Sequence, residues 1–188
     1  MAKARNKDLD VLVALMSEPA RRTRQEAAHD IAMIARENPE SLGGIVDQMV
    51  DALARPEAQT RWEILDALAL MANAGLDVSA AFDSADANLF DENSLRVCLS
   101  SFRYMSAYGA TSEDASDQTW PPMSEALQCY HGDTIYRDML MALLDFSRGT
   151  ISDGVRSSMV ELVTFDAENS SGYLKTLSAD VLEVCSAS

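Results

Sequence analysis

The apolar residues of the first 75 positions recur with helical spacing, and the whole pattern then repeats. Leu9, Leu12, Val13 and Met16 fall at i, i+3, i+4 and i+7, the stripe of one helix face, and Pro19 closes the run. The same series returns 37 residues later as Val46, Met49, Val50, Leu53 and Pro56. A second stripe follows each proline. It runs Ala27, Ala28, Ile31, Ile34, Ala35 in the first copy and Ile64, Leu65, Leu68, Met71, Ala72 in the second, headed by Arg24 and Arg61. The unit is therefore helix, proline turn, helix, written twice.

The element boundaries agree with that reading. Asn38-Pro39 ends the second helix, because a residue before proline avoids the helical region. A third helix is expected over 39–54, with Gly43-Gly44 weakening its first turn by about 1 kcal/mol per glycine. A fourth is expected from about Glu57 to Ala74, with Gly75 as its C-terminal cap. This fourth helix is apolar nearly all round, which places it between neighbours rather than on a surface. Helical spacing returns at about 93–108, 122–131, 134–147, 153–167 and 171–185, without the repeat consensus. Residues 76–92 are expected to be irregular, with Asp83, Asp86 and Asp91 interrupting a short helix marked by Val78 and Phe82. Residues 109–122 are expected to form a long acidic loop ending in Trp120-Pro121-Pro122.

The run Arg24-x-x-Ala-Ala-x-x-Ile-x-x-Ile-Ala-Arg-Glu-Asn-Pro-Glu, followed by an amphipathic stretch and a proline turn, resembles a HEAT repeat. The likeness is clearest over residues 9–75; the second copy has Asn-Ala-Gly-Leu at the junction where the first has Asn-Pro-Glu. The resemblance implies an all-α fold, a right-handed α-α superhelix of about five HEAT-like helix pairs, forming a single domain over 1–188. It also implies that Arg24 and Arg61 each stack against an acidic neighbour.

Charge narrows the possible partners. There are 30 acidic and 15 basic residues, net −15, divided as −1 over residues 1–61 and −14 over 62–188. Nucleic acids and anionic membranes are held through Lys and Arg, so neither is the expected partner. The excess acid keeps such a chain soluble by self-repulsion and favours a basic partner for the C-terminal two-thirds. Cys98, Cys129 and Cys185 are odd in number and far apart, which fits thiols in a reducing cytoplasm rather than a disulfide framework. The N-terminal apolar run is too short and too acidic for a leader or a membrane span.

No pattern calls for a metal or cofactor. His29 and His131 lack ligand spacing, and Asp83, Asp86 and Asn88 miss the calcium-loop pattern. There is no glycine-rich phosphate loop and no nucleophile elbow. The expected function is a non-catalytic scaffold or adaptor that binds a protein or peptide. The groove of a HEAT-like array is lined by the second helix of each pair, and Asp47, Gln48 and Asp51 are the candidate contacts, with Trp120 as an exposed anchor. The alternative is a HEAT-like DNA alkylation-repair glycosylase. It would cast Trp62, Trp120, Arg21, Arg22 and Arg24 as its aromatics and basic channel. Separately, the Arg21-Arg22-Thr23-Arg24 cluster, aided by Lys3, Arg5 and Lys7, offers a contact for a phosphate or an acidic peptide.

Overall fold

The computed structural model describes residues 8–187, so Lys3, Arg5 and Lys7 lie outside it. Among the described residues the chain is helical throughout, with ten α-helices and no strand. They are α1 (Leu9–Met16), α2 (Arg21–Glu37), α3 (Val46–Ala52), α4 (Ala58–Asn73), α5 (Phe82–Leu89), α6 (Leu95–Gly109), α7 (Glu113–Cys129), α8 (Tyr136–Ser147), α9 (Asp153–Asn169) and α10 (Gly172–Ser186). Two 3-10 segments, Pro39–Ile45 and Ser79–Ala81, lead into α3 and α5. The helices form five consecutive pairs, the number that the resemblance implied.

The pairs stack in two layers. The even-numbered helices form one layer, in which α4 packs between α2 and α6, and α8 between α6 and α10. The odd-numbered helices stand behind them. A continuous apolar core runs between the layers from Leu12 to Cys185. No pair buries its own apolar face, so the stack is what makes a core. The effect is strongest at α4, which buries Ile64, Leu65, Ala67, Leu68, Met71 and Ala72 between its neighbours. Gly75 follows it with φ +83°, the left-handed cap expected there.

Three segments depart from the sequence reading. The third helix is not continuous: Gly43-Gly44 sit in 3-10 geometry and the α-helix begins only at Val46. Gly43 also lies where an added Cβ would sit 3.1 Å from Leu76, so the second and third units approach closely at this point. Residues 76–92 are ordered by α5. Asp83 and Asp86 do not interrupt it, because they lie off the face on which Ala85, Asn88 and Leu89 are buried. The largest correction is at 109–122, where the expected acidic loop is the first half of α7. Ser112 caps that helix by accepting the Ala115 N–H, and Glu113 and Asp114 sit in its positive first turn. Pro121 and Pro122 fall inside α7, where burial of Trp120, Met123, Ala126 and Leu127 outweighs the two missing donors.

One residue position ties the units together. Arg24, the fourth residue of α2, donates Nη1 to the carbonyls of Glu18 at 2.7 Å and Pro19 at 2.8 Å, and Nη2 to the Glu57 carboxylate that precedes α4. Arg61, the fourth residue of α4, donates to Asn88 and Asp91, each at 2.6 Å, ahead of α6. Burial pushes the Asp91 carboxyl up, but the Arg61 bond and charge, with backbone N–H groups, hold it below the usual carboxylate range. Thus Arg24 and Arg61 meet the acidic neighbours that the resemblance implied. The fourth residue of α6 is Cys98, another 37 residues on. Its thiol donates to the Asp91 carbonyl at 3.3 Å and accepts from the Tyr130 hydroxyl at 3.2 Å.

The Arg24–Glu57 pair is nearly enclosed, with side-chain exposures of 10% and 4%, and Glu57 Oε2 has no partner. Arg24→Ala strands a buried carboxylate and is expected to cost about 3–5 kcal/mol, whereas Arg24→Met combined with Glu57→Leu is expected to restore most of that. Urea unfolding midpoints measure both variants. A single-site loss within about 1 kcal/mol of zero would show that the tie is dispensable.

Candidate functional site

Charge is sorted by layer. The odd-numbered helices carry Asp10 on α1, Asp47 and Asp51 on α3, Asp83 and Asp86 on α5, Glu113, Asp114, Asp117 and Glu125 on α7, and Asp153, Glu161, Asp166 and Glu168 on α9. Against these thirteen carboxylates stands one base, Arg156. The even-numbered helices carry nine bases and nine acids. The acidity that the sequence places along the C-terminal two-thirds is thus concentrated on one side of the stack.

The neutral layer holds a groove of about 470 Å³ that crosses α2, α4, α6 and α8. Its floor is apolar: Ala69 and Leu70 from α4, Ala107 from α6 with Ala110 capping that helix, Met141 and Ala142 from α8, over buried Phe146. Met141 is 47% exposed, a flexible thioether open to contact. The rim is charged. Arg96 of α6 bonds Asp66 of α4 at 2.8 Å, and Arg103 of α6 reaches Asp138 of α8 at 3.5 Å. Arg36 of α2 bonds the Met33 sulfur at 3.5 Å, and Asp145 of α8 pairs with exposed Arg148 at 3.1 Å. A second depression, of about 350 Å³, lies where α2 meets α4 and is lined by Arg22, Glu26, His29 and Gln59. His29 reaches Glu63 there at 3.1 Å.

The sequence-derived candidates are not gathered in this groove. Asp47, Gln48 and Asp51 are exposed on α3, in the acidic layer. Trp120 is not an exposed anchor: it is 9% exposed and stacks on Phe146 with ring centroids 6.4 Å apart and planes 5° apart. The sequence suggests an anchor at Trp120 because the α7 capping residues carry loop composition. The residues required for a glycosylase are similarly dispersed. Arg24 is consumed by Glu57, Trp120 is core, and Trp62 is half-buried on α4. A duplex channel also needs net positive charge, which the neutral groove layer does not supply. The groove's Arg36, Asp66, Arg103 and Asp138 were missed. Their signal was present as the 37-residue equivalence of Asp66 to Arg103, which places both on the groove side of successive even helices.

A second cluster has chemical content. His131 Nε2 lies 2.8 Å from Asp166 Oδ2, the Ser170 hydroxyl donates to Oδ1 at 2.7 Å, and Tyr136 packs against the imidazole at 4.8 Å. This is not a nucleophile system, because the serine donates its proton to the carboxylate and makes no bond to the histidine. It works as a clip between the α7–α8 turn and α9. Burial raises the Asp166 carboxyl, but the bonds from Ser170 and His131 together with the His131 charge outweigh burial and hold it below its ordinary value. Two of the three thiols, Cys98 and Cys185, are buried, Cys129 is exposed, and burial pushes the Cys185 thiol up against the opposing pull of Arg156.

Together the layers define an α-solenoid of the armadillo and HEAT kind. No protein family matches the sequence, and no curated protein does. Solved structures match it over nearly the whole chain. An engineered protein is similar with TM-score 0.76 at 17% identity, over 95% of this chain and 79% of that one. A designed armadillo repeat protein gives 0.75 at 14%, over 94% and 82%. Another, solved in complex with the peptide (KR)4, gives 0.75 at 15%, over 93% and 80%. At such identities the likeness establishes the fold. No helix among the described residues is long and apolar enough to cross a membrane.

Because the folded pKa of Asp166 lies below the unfolded value of about 3.9, its contribution is present above that value and lost as pH falls through the folded pKa. Asp166→Asn is therefore expected to be less stable than wild type at pH 7, with a shallower loss of stability below about pH 5, read from thermal midpoints across pH. For Trp120, the Trp62→Phe variant isolates its fluorescence, which is expected to be blue-shifted and protected from iodide. Trp120→Ala is expected to cost about 3–5 kcal/mol. A red-shifted, readily quenched emission would restore the exposed-anchor reading.

Proposed function

We propose that this protein is a non-catalytic binding module that takes a protein or peptide segment across the groove of α2, α4, α6 and α8. The observation that carries this reading is the groove itself: an apolar floor with a charged rim, shared by four stacked helices. The structural likeness to a designed repeat protein that binds a peptide supports it by analogy. An extended segment lying across the stack would contact one helix after another, which is how a repeat array gains affinity. A basic partner meets its opposite charge on the acidic layer instead. There Asp47, Gln48 and Asp51 of α3 offer a second docking patch, separate from the groove.

The two surfaces are separated by peptides selected from a random display library on the wild-type protein. Ala107→Arg fills the groove floor, and Asp47→Lys with Asp51→Lys reverses the α3 patch. The selected peptides are expected to lose at least about tenfold in affinity, or ~1.4 kcal/mol, on the first variant and to bind the second as they bind wild type. Circular dichroism establishes that both variants fold. The opposite pattern would move the docking site to the acidic layer, and a selection that yields no binder would remove the peptide-binding reading.

A further inference from the structure

We propose that the groove takes one aromatic side chain of its peptide partner in a hollow at the α6–α8 end, with a carboxylate of the same peptide held by Arg36 at the α2 end. The proposal rests on the groove being the binding surface and names the chemistry of what fills it. Two rows that the 37-residue register sets level cross the even-numbered helices. One runs Met33, Leu70, Ala107, and the other Arg36, Asn73, Ala110. Both rows shrink to a methyl group at the α6 end, and α8 adds Ala142 to the same lining. The three alanines are half-buried rather than covered. They leave a hollow between Leu70 of α4 and Met141 of α8, floored by Phe146.

The hollow suits a flat, bulky apolar group. It is firm from beneath, because Phe146 is itself stacked on Trp120 with planes 5° apart. Met141, 47% exposed, brings a polarisable thioether to the wall, and sulfur packs favourably against an aromatic ring. An aromatic anchor has two side-chain torsions to immobilise, so it fills such a site at low entropic cost. A lysine or arginine placed there would bury its charge among methyl groups.

Charge sets the second contact and the direction. Arg36 lines the groove, and its guanidinium has no carboxylate in ion-pair reach among the described residues. Its row neighbours, Asn73 and Ala110, are neutral. At the opposite end Asp138 and Asp145 line the groove, each already paired with an arginine. An incoming carboxylate is therefore opposed at the α8 end and attracted at the α2 end. Stacked helices lie about 8–10 Å apart, so the two contacts stand about two spacings, or 16–20 Å, from each other. An extended chain advances about 3.3 Å per residue, which places the acid about five or six residues from the anchor.

Peptides selected on the wild-type protein from the random display library are the probes, and fluorescence anisotropy reads their binding. They are expected to share one Trp, Tyr or Phe with an Asp or Glu about five or six residues away. Replacing that aromatic by Ala is expected to weaken the strongest peptide at least about tenfold. Ala142→Met and Ala107→Leu each fill the hollow without adding charge, and both are expected to cause the same loss while circular dichroism shows them folded. Arg36→Glu is expected to lose about fivefold, recovered when the acid of the peptide is replaced by Lys. If the selected peptides are lost on Ala107→Arg but carry no aromatic, or bind both filled variants as they bind wild type, the hollow is wrong while the groove stands. Peptides without the acid, or indifferent to Arg36→Glu, overturn the Arg36 contact. If no peptide is selected, or binding is indifferent to Ala107→Arg, the groove reading falls and takes the hollow with it.

Discussion

The structure depends on the fact that no helix pair in this chain can bury its own apolar face. α4 is the clearest case, since its apolar residues surround the helix and need α2 on one side and α6 on the other. Stacking alone would leave each unit free to slide, because hydrophobic contact is non-directional. Directional bonds set the register. They come from the same place in three successive units, the fourth residue of the even-numbered helix, where Arg24, Arg61 and Cys98 each reach beyond their own helix. With that register held, residues at matching positions on neighbouring helices come level with one another, as Asp66 and Arg103 do on the groove side.

Layering also changes what the net charge of −15 means. Read along the chain, the acid excess belongs to the C-terminal two-thirds and suggests a basic partner there. Read across the layers, it belongs to the odd-numbered helices from α1 to α9, while the even-numbered helices balance acid with base in equal number. A layer of that charge repels another acidic surface brought against it. The neutral layer, lacking that field, is where close approach of another chain is least opposed.

How much was legible follows from how local each signal is. The two helix-turn-helix units over 9–75 were plain because apolar spacing and proline turns are properties of adjacent residues. The arginine ties were also in view, since Arg24 and Arg61 stand in the repeat consensus. The third unit was hidden because the tie continues as Cys98, a residue with none of arginine's chemistry, bonded through Tyr130 from a later unit. The fourth was hidden because its outer helix has 17 residues where α3 has 7 and α5 has 8, so the 37-residue period stops. That long helix was read as a loop because Ser112-Glu113-Asp114 and Pro121-Pro122 carry loop composition. Tertiary burial of Trp120 and Met123 overrides it. The groove residues are singly unremarkable and gain meaning only once four helices stand side by side.

The same ion-pair chemistry serves two ends in this fold, and solvent decides which. Arg24 and Arg61 are 10% and 13% exposed, and their carboxylates are as enclosed. A charge at that depth cannot change partner without passing through an uncompensated state, so these pairs fix geometry. Arg96 and Arg103 sit on the rim with water at hand, where breaking a pair costs little and a new carboxylate substitutes readily. Enclosed pairs hold the units in register behind the groove, while open pairs face a visitor across it. A surface built this way keeps its helix spacing fixed while its rim pairs stay open to exchange with solvent.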